Sequence, residues 1–564
     1  MDGERPVIVQ NDHSILLETG GPAYEEARDA LVPFAELVKA PEYVHTYRLT
    51  PLSLWNAASA GHTAGQVLAD LARLSRFPVP DVVRHTIEEQ MARYGRLRLV
   101  REGGAPGGGL LLVADDAALL DEALADEGAR AFLGDRTPTG VRVTPEGRGR
   151  VKQELTRLGW PVEDVAGYVQ GDPLEVALRD VTQEGAPFGL RDYQARAIDA
   201  FWQDGADRGG AGVVVLPCGA GKTVVGLGAL ARVAQSTLIV TTGDLAARQW
   251  EREVLDKTTL APYEVCELSG RRKELGPVTI TTYQLLTHRK KGAERYDGME
   301  RVASRRWGLV IYDEVHLLPA PVFRLACEVQ ATRRLGLTAT LVREDGRATD
   351  VFSLIGPKRY DVPWKVLEQR GWIAQAECAE VRVPLPEAQR REYATTPQRE
   401  KFRVASASTA KLDVLLALLA RHAAEPVLVI GTYLEQLEHV AQLTGAPLVT
   451  GKTPVRERER HASAFRRGEL KLLLLSSVGN YALDLPEASV LVQVSGLFGS
   501  RQEEAQRLGR VLRPKQDGRA ARFYTLVTDG TVEAEFAMNR QRFLAEQGYR
   551  YAIVDAAGVL AGTA

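Results

Sequence analysis

From residue 213 onward the chain is punctuated by short apolar runs, each closing on a turn of small or hydroxyl-bearing residues. Residues 213–216, 237–241, 278–280, 309–312 and 334–337 have the length of buried strands and are too short for helices. Helix-length stretches separate them, which is the βα rhythm of a parallel sheet. A second series of the same kind, 427–430, 447–449, 472–475, 490–494 and 523–527, predicts a second sheet. Between the two series lies a more polar segment, 385–410, with no clear strand. Upstream the pattern differs. Residues 51–58, 65–76 and 81–94 read as three helices, and 96–101 and 110–114 alternate apolar and polar around Gly-Gly-Ala-Pro-Gly-Gly-Gly. Helices followed by a hairpin predict a mostly helical domain with a winged-helix-like part over 1–127. Such a module serves either DNA or packing and partner binding, and Arg84, His85 and Arg93 give its third helix only modest charge. A small mixed α/β unit is expected over 128–185, with a strand at 140–144 and an amphipathic helix at 149–158. The two sheets then define α/β lobes over 186–370 and 371–550, followed by a tail, 551–564.

Composition narrows the class without naming it. A chain of 564 residues exceeds what one core supports, so three or four domains are expected. With 45% hydrophobic and 26% charged residues the chain is globular. A net charge of −2 offers no global basic field, so any nucleic-acid path must be local. Cys218, Cys266, Cys327 and Cys378 are scattered and form no C-x-x-C pair, which argues against zinc and iron–sulfur sites. The longest apolar runs are strand-length, so no membrane span is predicted, and without a secretory signal the expected compartment is the cytoplasm.

Three motifs carry chemistry. Pro217-Cys218-Gly219-Ala220-Gly221-Lys222-Thr223 joins a predicted strand to a helix of small residues. Backbone N–H groups in such a turn cradle phosphates, Lys222 reaches the β- and γ-phosphates, and the Thr223 hydroxyl suits Mg²⁺. Asp313-Glu314-Val315-His316 closes a second strand, where a carboxylate beside a phosphate loop belongs as a metal ligand. Asp313 is expected to hold Mg²⁺ and Glu314 to polarise the attacking water. Third, Gln506, Arg507, Arg510 and Arg513 share nearly one helical face. Guanidinium groups there suit a developing phosphoryl charge, and a finger of this kind is worth about 10³–10⁵ in rate. A solvated basic helix face is the plainer alternative for that third motif.

Taken together, Asp-Glu-Val-His, Thr338-Ala339-Thr340 and the Gln506–Arg513 motif resemble superfamily 2 helicases. Arg343-Glu344-Asp345, directly after Thr-Ala-Thr-Leu-Val, is similar to the Arg-Glu-Asp motif of XPB-type DNA helicases. The phosphate loop beginning Leu216-Pro217-Cys218 has that family's form, and Leu190-Arg-Asp-Tyr-Gln194 and Asp484-Leu-Pro-Glu-Ala488 match as well. The likeness, to the bacterial branch, spans essentially the whole chain and is strongest over about 186–550. It implies two RecA-like lobes that close on ATP and Mg²⁺, with Lys222, Asp313 and Glu314 on one side and Gln506, Arg507 and Arg510 on the other. Arg191 and Gln194 would read the adenine, and Thr338 and Thr340 would couple the nucleotide site to DNA, with Arg343, Glu344 and Asp345 nearby. DNA would lie across the lobes, contacted from Thr241, Thr242 and Arg248, from Thr282 and Tyr283, and from Thr432, Lys452 and Ser476. The resemblance also implies 3′→5′ polarity, action on double-stranded, forked and single-stranded DNA in repair, and a damage-recognition-like role for 128–185.

Some assignments have two readings at this stage. Arg271-Arg272-Lys273 and His288-Arg289-Lys290-Lys291 could line the path of incoming duplex or form a solvated face. Arg390, Arg391, Lys401 and Arg403 could belong to the family's DNA-gripping insertion or to a charged loop. A small-molecule kinase would have no use for the 506–513 helix and would be indifferent to DNA. A DNA-bound platform recruiting a nuclease or repair partner through 1–183 would not need Lys222. The expected protein is a monomer, associated with the bacterial nucleoid.

Overall fold

The computed structural model describes residues 5–39, 43–102, 109–144, 147–166, 170–205, 209–217, 219–289, 296–317, 324–339, 348–476, 488–496, 520–546 and 549–562. The chain divides into two compact units whose main boundary falls between Asp361 and Val362, slightly before the expected 370/371.

The first unit opens with a four-stranded sheet that the hydrophobic pattern does not reveal. Val7–Val9 (β1), Ser14–Glu18 (β2), Glu36–Lys39 (β3) and Val44–Arg48 (β4) lie in the order β1-β2-β4-β3, with Tyr24–Leu31 (α1) between β2 and β3. The region is therefore not mostly helical. Three helices come next, near their expected places: Pro51–Ser59 (α2), Ala64–Leu74 (α3) and Asp81–Arg93 (α4). Reciprocal side-chain caps fix two of the starts, Thr50 with Ser53 and Thr63 with Gln66.

The hairpin of Leu97–Arg101 (β5) and Leu110–Ala114 (β6) is not a wing on those helices. It pairs with Leu133–Thr137 (β7), Gly140–Val143 (β8) and Val162–Asp164 (β9) in a sheet ordered β7-β8-β6-β5-β9. That sheet crosses the expected boundary at 127/128. Leu97, Leu99, Leu112 and Val141 share its core with Val151 and Leu155 of the helix Gly147–Arg157 (α5). Local alternation makes the hairpin legible, but it does not name the downstream strands that join it. Trp160 is held between the guanidinium groups of Arg93 (5.2 Å) and Arg96 (5.5 Å), and its indole N–H donates to Glu122 (3.0 Å). The ring is clamped by these three side chains.

This small mixed sheet is fastened to the downstream part of the first unit. Asp164 receives a two-pronged bond from Arg148 (2.7 and 2.9 Å) and one from Lys152 (3.1 Å), and the Ser353 hydroxyl donates to Thr156 (3.1 Å). Burial opposes the Asp164 charge, but the two cations hold its carboxyl well below the usual range. The linker beyond it is laid along the next sheet by successive bonds, Gly171 N–H to Gln235, Asp172 N–H to Ser236 and Arg179 N–H to the Lys257 carbonyl. At Gly171 the contact is so close that a Cβ would stand 2.0 Å from the Gly308 nitrogen.

The main sheet of the first unit is parallel throughout and seven-stranded. It consists of Ala211–Val215 (β10), Thr237–Thr241 (β11), Val265–Glu267 (β12), Val278–Thr282 (β13), Trp307–Asp313 (β14), Ala331–Thr338 (β15) and Lys358–Asp361 (β16), in the order β12-β13-β11-β14-β15-β10-β16. All five expected strands are present, because a parallel strand covered on both faces is an unbroken apolar run. Every residue of β11 and β13 is buried. The two unexpected strands are the edges, too short or too charged to stand out.

The second unit repeats the architecture. Ala376–Val383 (β17), Val427–Gly431 (β18), Leu448–Val449 (β19), Leu472–Ser476 (β20), Val490–Gln493 (β21), Ala521–Thr528 (β22) and Arg550–Asp555 (β23) form a parallel sheet ordered β19-β20-β18-β21-β22-β17-β23. The expected tail at 551–564 is part of this body: β23 pairs with β17, and Ala556 and Val559 sit in the core. The polar segment 385–410 is two helices, Glu387–Thr395 and Gln398–Ser406. Arg391 is exposed beside Glu387, and the Lys401 ammonium lies over the Tyr393 ring at 5.1 Å.

At the centre of this unit Lys411 (1% exposed) is paired with Glu533 (fully buried) at 2.7 Å. Lys411 also donates to the Val494 carbonyl (3.0 Å), and Glu533 accepts from the Thr528 N–H (2.9 Å) and the Ser406 hydroxyl (3.1 Å). Removing one partner of a satisfied buried pair strands the other charge, a loss of about 3–5 kcal/mol. Lys411→Met should accordingly speed hydrogen exchange at the amides of β18 and β21 by about 10²-fold or more, with β11 and β13 unaffected.

Candidate functional site

The geometry at the carboxyl ends of β10, β15 and β14 is set by their order in the sheet. β15 lies between the other two, so the loop after β10 and the acidic turn after β14 flank it. The Leu216 N–H donates to the Thr338 carbonyl (3.0 Å), continuing the β10–β15 ladder into the loop. Gly219 (φ 81°) and Gly221 (φ 78°) then take left-handed backbone that glycine adopts without strain. Gly221 caps the helix Lys222–Val233 (α7, counting the helix Asp192–Trp202 as α6). A Cβ on Gly221 would lie 2.5 Å from the Gln194 amide nitrogen, so a side chain at this position would collide with Gln194. Gln194 is itself fixed, because its oxygen accepts from the Arg191 N–H (3.0 Å) and caps α6.

Lys222 opens α7, and its ammonium reaches Glu314 at 3.1 Å. Glu314 stands at φ 50°, a left-handed conformation uncommon outside glycine, which aims its carboxylate back over the loop. Its other oxygen lies 3.3 Å from His316 Nδ1, and the same nitrogen is 2.9 Å from the Thr338 hydroxyl. A buried polar chain therefore runs Lys222, Glu314, His316, Thr338 across three strands. Asp313 accepts from the Glu314 N–H (3.1 Å) at one oxygen and from the Trp250 indole N–H (3.0 Å) at the other. Its backbone carbonyl accepts from the Tyr283 hydroxyl (2.9 Å).

Burial, and then the adjacent Glu314 charge, push the Asp313 carboxyl up to about 6. Glu314 is desolvated too, yet Lys222 and the His316 contact hold it below the usual carboxylate range. The Thr223 hydroxyl, one residue after Lys222, and the Asp313 carboxylate are hard oxygens of the kind that suits Mg²⁺. Among the described residues no group of three or more His, Cys, Asp or Glu side chains is placed to hold a metal ion.

The structure thus brings together Arg191, Gln194, Gly219, Ala220, Gly221, Lys222, Thr223, Asp313, Glu314 and Thr338. Cys218, Thr340, Arg343, Glu344, Asp345, Gln506, Arg507 and Arg510 lie outside the described residues. Several residues expected to face DNA turn inward. Thr241 is fully buried and its hydroxyl donates to the Thr281 carbonyl (3.1 Å). The Thr282 hydroxyl accepts from the Leu285 N–H (3.2 Å), capping Tyr283–Thr287 (α9, with Asp244–Lys257 as α8). Tyr283 is fully buried beneath Asp313. Ser476 is buried at the end of β20. Hydroxyl residues after strands resemble phosphate contacts in sequence, but these serve the sheet ends and helix caps. Arg248 on α8 and Lys452 are exposed, Thr242 and Thr432 half-buried, and Arg271, Arg272, Lys273, His288 and Arg289 exposed. Trp250 and His316 are site residues that the sequence reading gives no role at the nucleotide. His316 had a signal, its place in Asp-Glu-Val-His, whereas nothing local marks Trp250 as an Asp313 partner.

Comparison with known proteins places the chain among helicases. Three family descriptions match: the ERCC3/RAD25/XPB C-terminal helicase over residues 367–561, the type III restriction enzyme res subunit over 187–343, and a helicase conserved C-terminal domain over 7–138. The chain is 54% identical over 552 residues to the DNA 3'-5' helicase XPB of Kineococcus radiotolerans, covering 98% of this chain and 96% of that one. It is 54% identical over 556 residues to the Mycobacterium tuberculosis protein of the same description, covering 98% of each. It is 30% identical over 615 residues to the Saccharomyces cerevisiae general transcription and DNA repair factor IIH helicase/translocase subunit XPB/SSL2, covering 98% of this chain and 72% of that one.

Proposed function

We propose, from the premise that the chain belongs to the XPB family of helicases, that it is an ATP-dependent DNA 3′→5′ helicase that opens duplex DNA in repair. The observation that carries the reading is the Lys222–Glu314 pair at 3.1 Å beside Asp313, on a glycine loop. In this reading Gly219, Ala220 and Gly221 present backbone N–H groups to the triphosphate, and Gln194 with Arg191 borders the adenine. A bound triphosphate competes with Glu314 for the Lys222 ammonium. Released from that pair, the Glu314 carboxylate can accept a proton from the attacking water. Thr223 and Asp313 would hold Mg²⁺, which supplies charge neutralisation at the β- and γ-oxygens. Gln506, Arg507 and Arg510 are assigned to the same reaction by their motif. The chain His316–Thr338 supports a coupling role for the Thr-Ala-Thr triplet, because movement of Glu314 is felt at the end of β15.

DNA contact is assigned to Thr242, Arg248, Thr432 and Lys452, the candidates that keep exposed or half-exposed positions, together with Arg343, Glu344 and Asp345 from the family motif. Residues 1–183 are the proposed surface for a repair partner. Among the described residues no helix is long and apolar enough to cross a membrane, and we place the protein as a monomer in the bacterial cytoplasm with the nucleoid.

The test is ATP hydrolysis without DNA and with duplex, forked and single-stranded DNA, alongside strand displacement on 3′- and 5′-tailed forks. DNA should stimulate hydrolysis and only forks with a 3′ loading strand should open, with Glu314→Gln inactive in both assays. Hydrolysis indifferent to DNA would point to small-molecule phosphoryl transfer. Stimulation by duplex without displacement would make the protein a translocase.

A further inference from the structure

We infer that Trp250 and Tyr283 are positioning residues that carry DNA engagement to Asp313, an inference that rests on the helicase reading above. The observation behind it is a convergence. The turn after β11 leads into α8, which bears Arg248 and Trp250, and the turn after β13 opens α9 with Tyr283. The first turn carries Thr242 and Arg248, which are assigned to DNA, and the second is tied to it. The Gln284 amide donates to the Thr242 carbonyl (3.0 Å), and the Thr241 hydroxyl donates to the Thr281 carbonyl (3.1 Å). From this joined platform two aromatic side chains reach one residue. The Trp250 indole N–H ends on the Asp313 carboxylate (3.0 Å) and the Tyr283 hydroxyl on the Asp313 backbone carbonyl (2.9 Å).

Neither ring can touch DNA itself, since Trp250 is 2% exposed and Tyr283 fully buried. Trp250 also borders the phosphate-loop helix: a Cβ on Gly226 of α7 would stand 2.5 Å from the indole ring. The indole is therefore lodged between that helix and the carboxylate assigned to the metal. The plain alternative is that buried Tyr and Trp need any acceptor for their polar ends. Against it, both take the same residue from two different helices, and that residue is the one assigned to the metal. A shift of the platform on binding DNA would move Asp313 through two bonds at once, one gripping its side chain and one its backbone.

Coupling between two ligands is reciprocal in binding, so it can be read without turnover. The full-length protein is titrated with a fluorescent 3′-tailed fork, with and without AMP-PNP and Mg²⁺, as wild type, Trp250→Phe and Tyr283→Phe. Tyr283→Phe keeps the ring and deletes one donor, and Trp250→Phe keeps an aromatic side chain while deleting the donor together with part of the indole. The factor by which nucleotide changes fork affinity should fall about 3- to 10-fold in Trp250→Phe and by a smaller factor in Tyr283→Phe. Stimulation of kcat by DNA should fall as well. Unchanged coupling in variants of a coupled wild type would overturn this inference and leave the helicase reading intact. Equal loss of fork affinity and ATP affinity in both variants would reduce the two rings to packing. A wild type whose fork affinity and hydrolysis ignore the other ligand would overturn both.

Discussion

Glu314→Gln will keep ATP binding close to wild type and lower the hydrolysis rate by about 10²–10⁴. The substitution preserves the shape of the side chain and one acceptor oxygen, so Lys222 retains a partner at the position now 3.1 Å away. What it removes is the carboxylate held ionised beside the loop, because Asp313 is pushed toward the protonated form unless a cation faces it. An amide cannot accept the proton of the attacking water. The split is the informative part: a large fall in kcat with an unchanged KM marks an interaction made in the transition state. Single-turnover hydrolysis together with nucleotide binding by equilibrium titration reads both halves. A variant that hydrolyses ATP within tenfold of wild type would remove Glu314 from the reaction.

Lys222→Ala will weaken ATP binding as well as turnover, lowering kcat/KM by about 10²–10³. Among the described residues of the loop it is the cation offered to the phosphates, and its loss acts on ground state and transition state together. Arginine is not a conservative replacement here, since its planar fork is larger than the compact ammonium that fits between the loop and Glu314. The variant also leaves Glu314 without its Lys222 partner, and the pair is largely buried, with side chains 12% and 19% exposed. Glu314 should then rise from its depressed range, and the double variant Lys222→Ala/Glu314→Gln should unfold at a higher temperature than Lys222→Ala alone. Steady-state kinetics and thermal scans of single and double variants check both statements, and additive losses would show that the pair does not act as a unit.

How much of the fold is legible in the sequence depends on how each feature is encoded. Most interior strands of both sheets carry an apolar run, and that run reveals them. β17 is not, because Glu377, Glu380 and Arg382 interrupt it. Glu380 is nonetheless fully buried, answered by Arg382 and by the Tyr551 hydroxyl from the neighbouring β23. A charge satisfied from another strand looks in sequence like a loop. The hairpin at 97–114 is visible but points to the wrong body, since its pattern says nothing about which strands it joins. In the site, Lys222, Thr223, Asp313 and Glu314 are readable because short motifs fix their relation to a strand end. The bonds of Trp250 and Tyr283 to Asp313 are not, because they span 63 and 30 residues and depend on strand order. The threonines after β11 and β13 mislead for a related reason: a hydroxyl that caps a helix and one that meets a phosphate occupy the same place in a sequence.

The backbone bonds that fasten residues 170–183 along the first main sheet bear on how the gene can be divided. A fragment beginning at 186, where the sequence pattern suggests the motor starts, would lack the chain that covers Gln235, Ser236 and Gly308. Their amides, hydroxyls and close-packed glycine surface would face solvent. A fragment that keeps this cover has to start upstream of 170, and because the linker's side of the stitching is main-chain, few substitutions there can undo it.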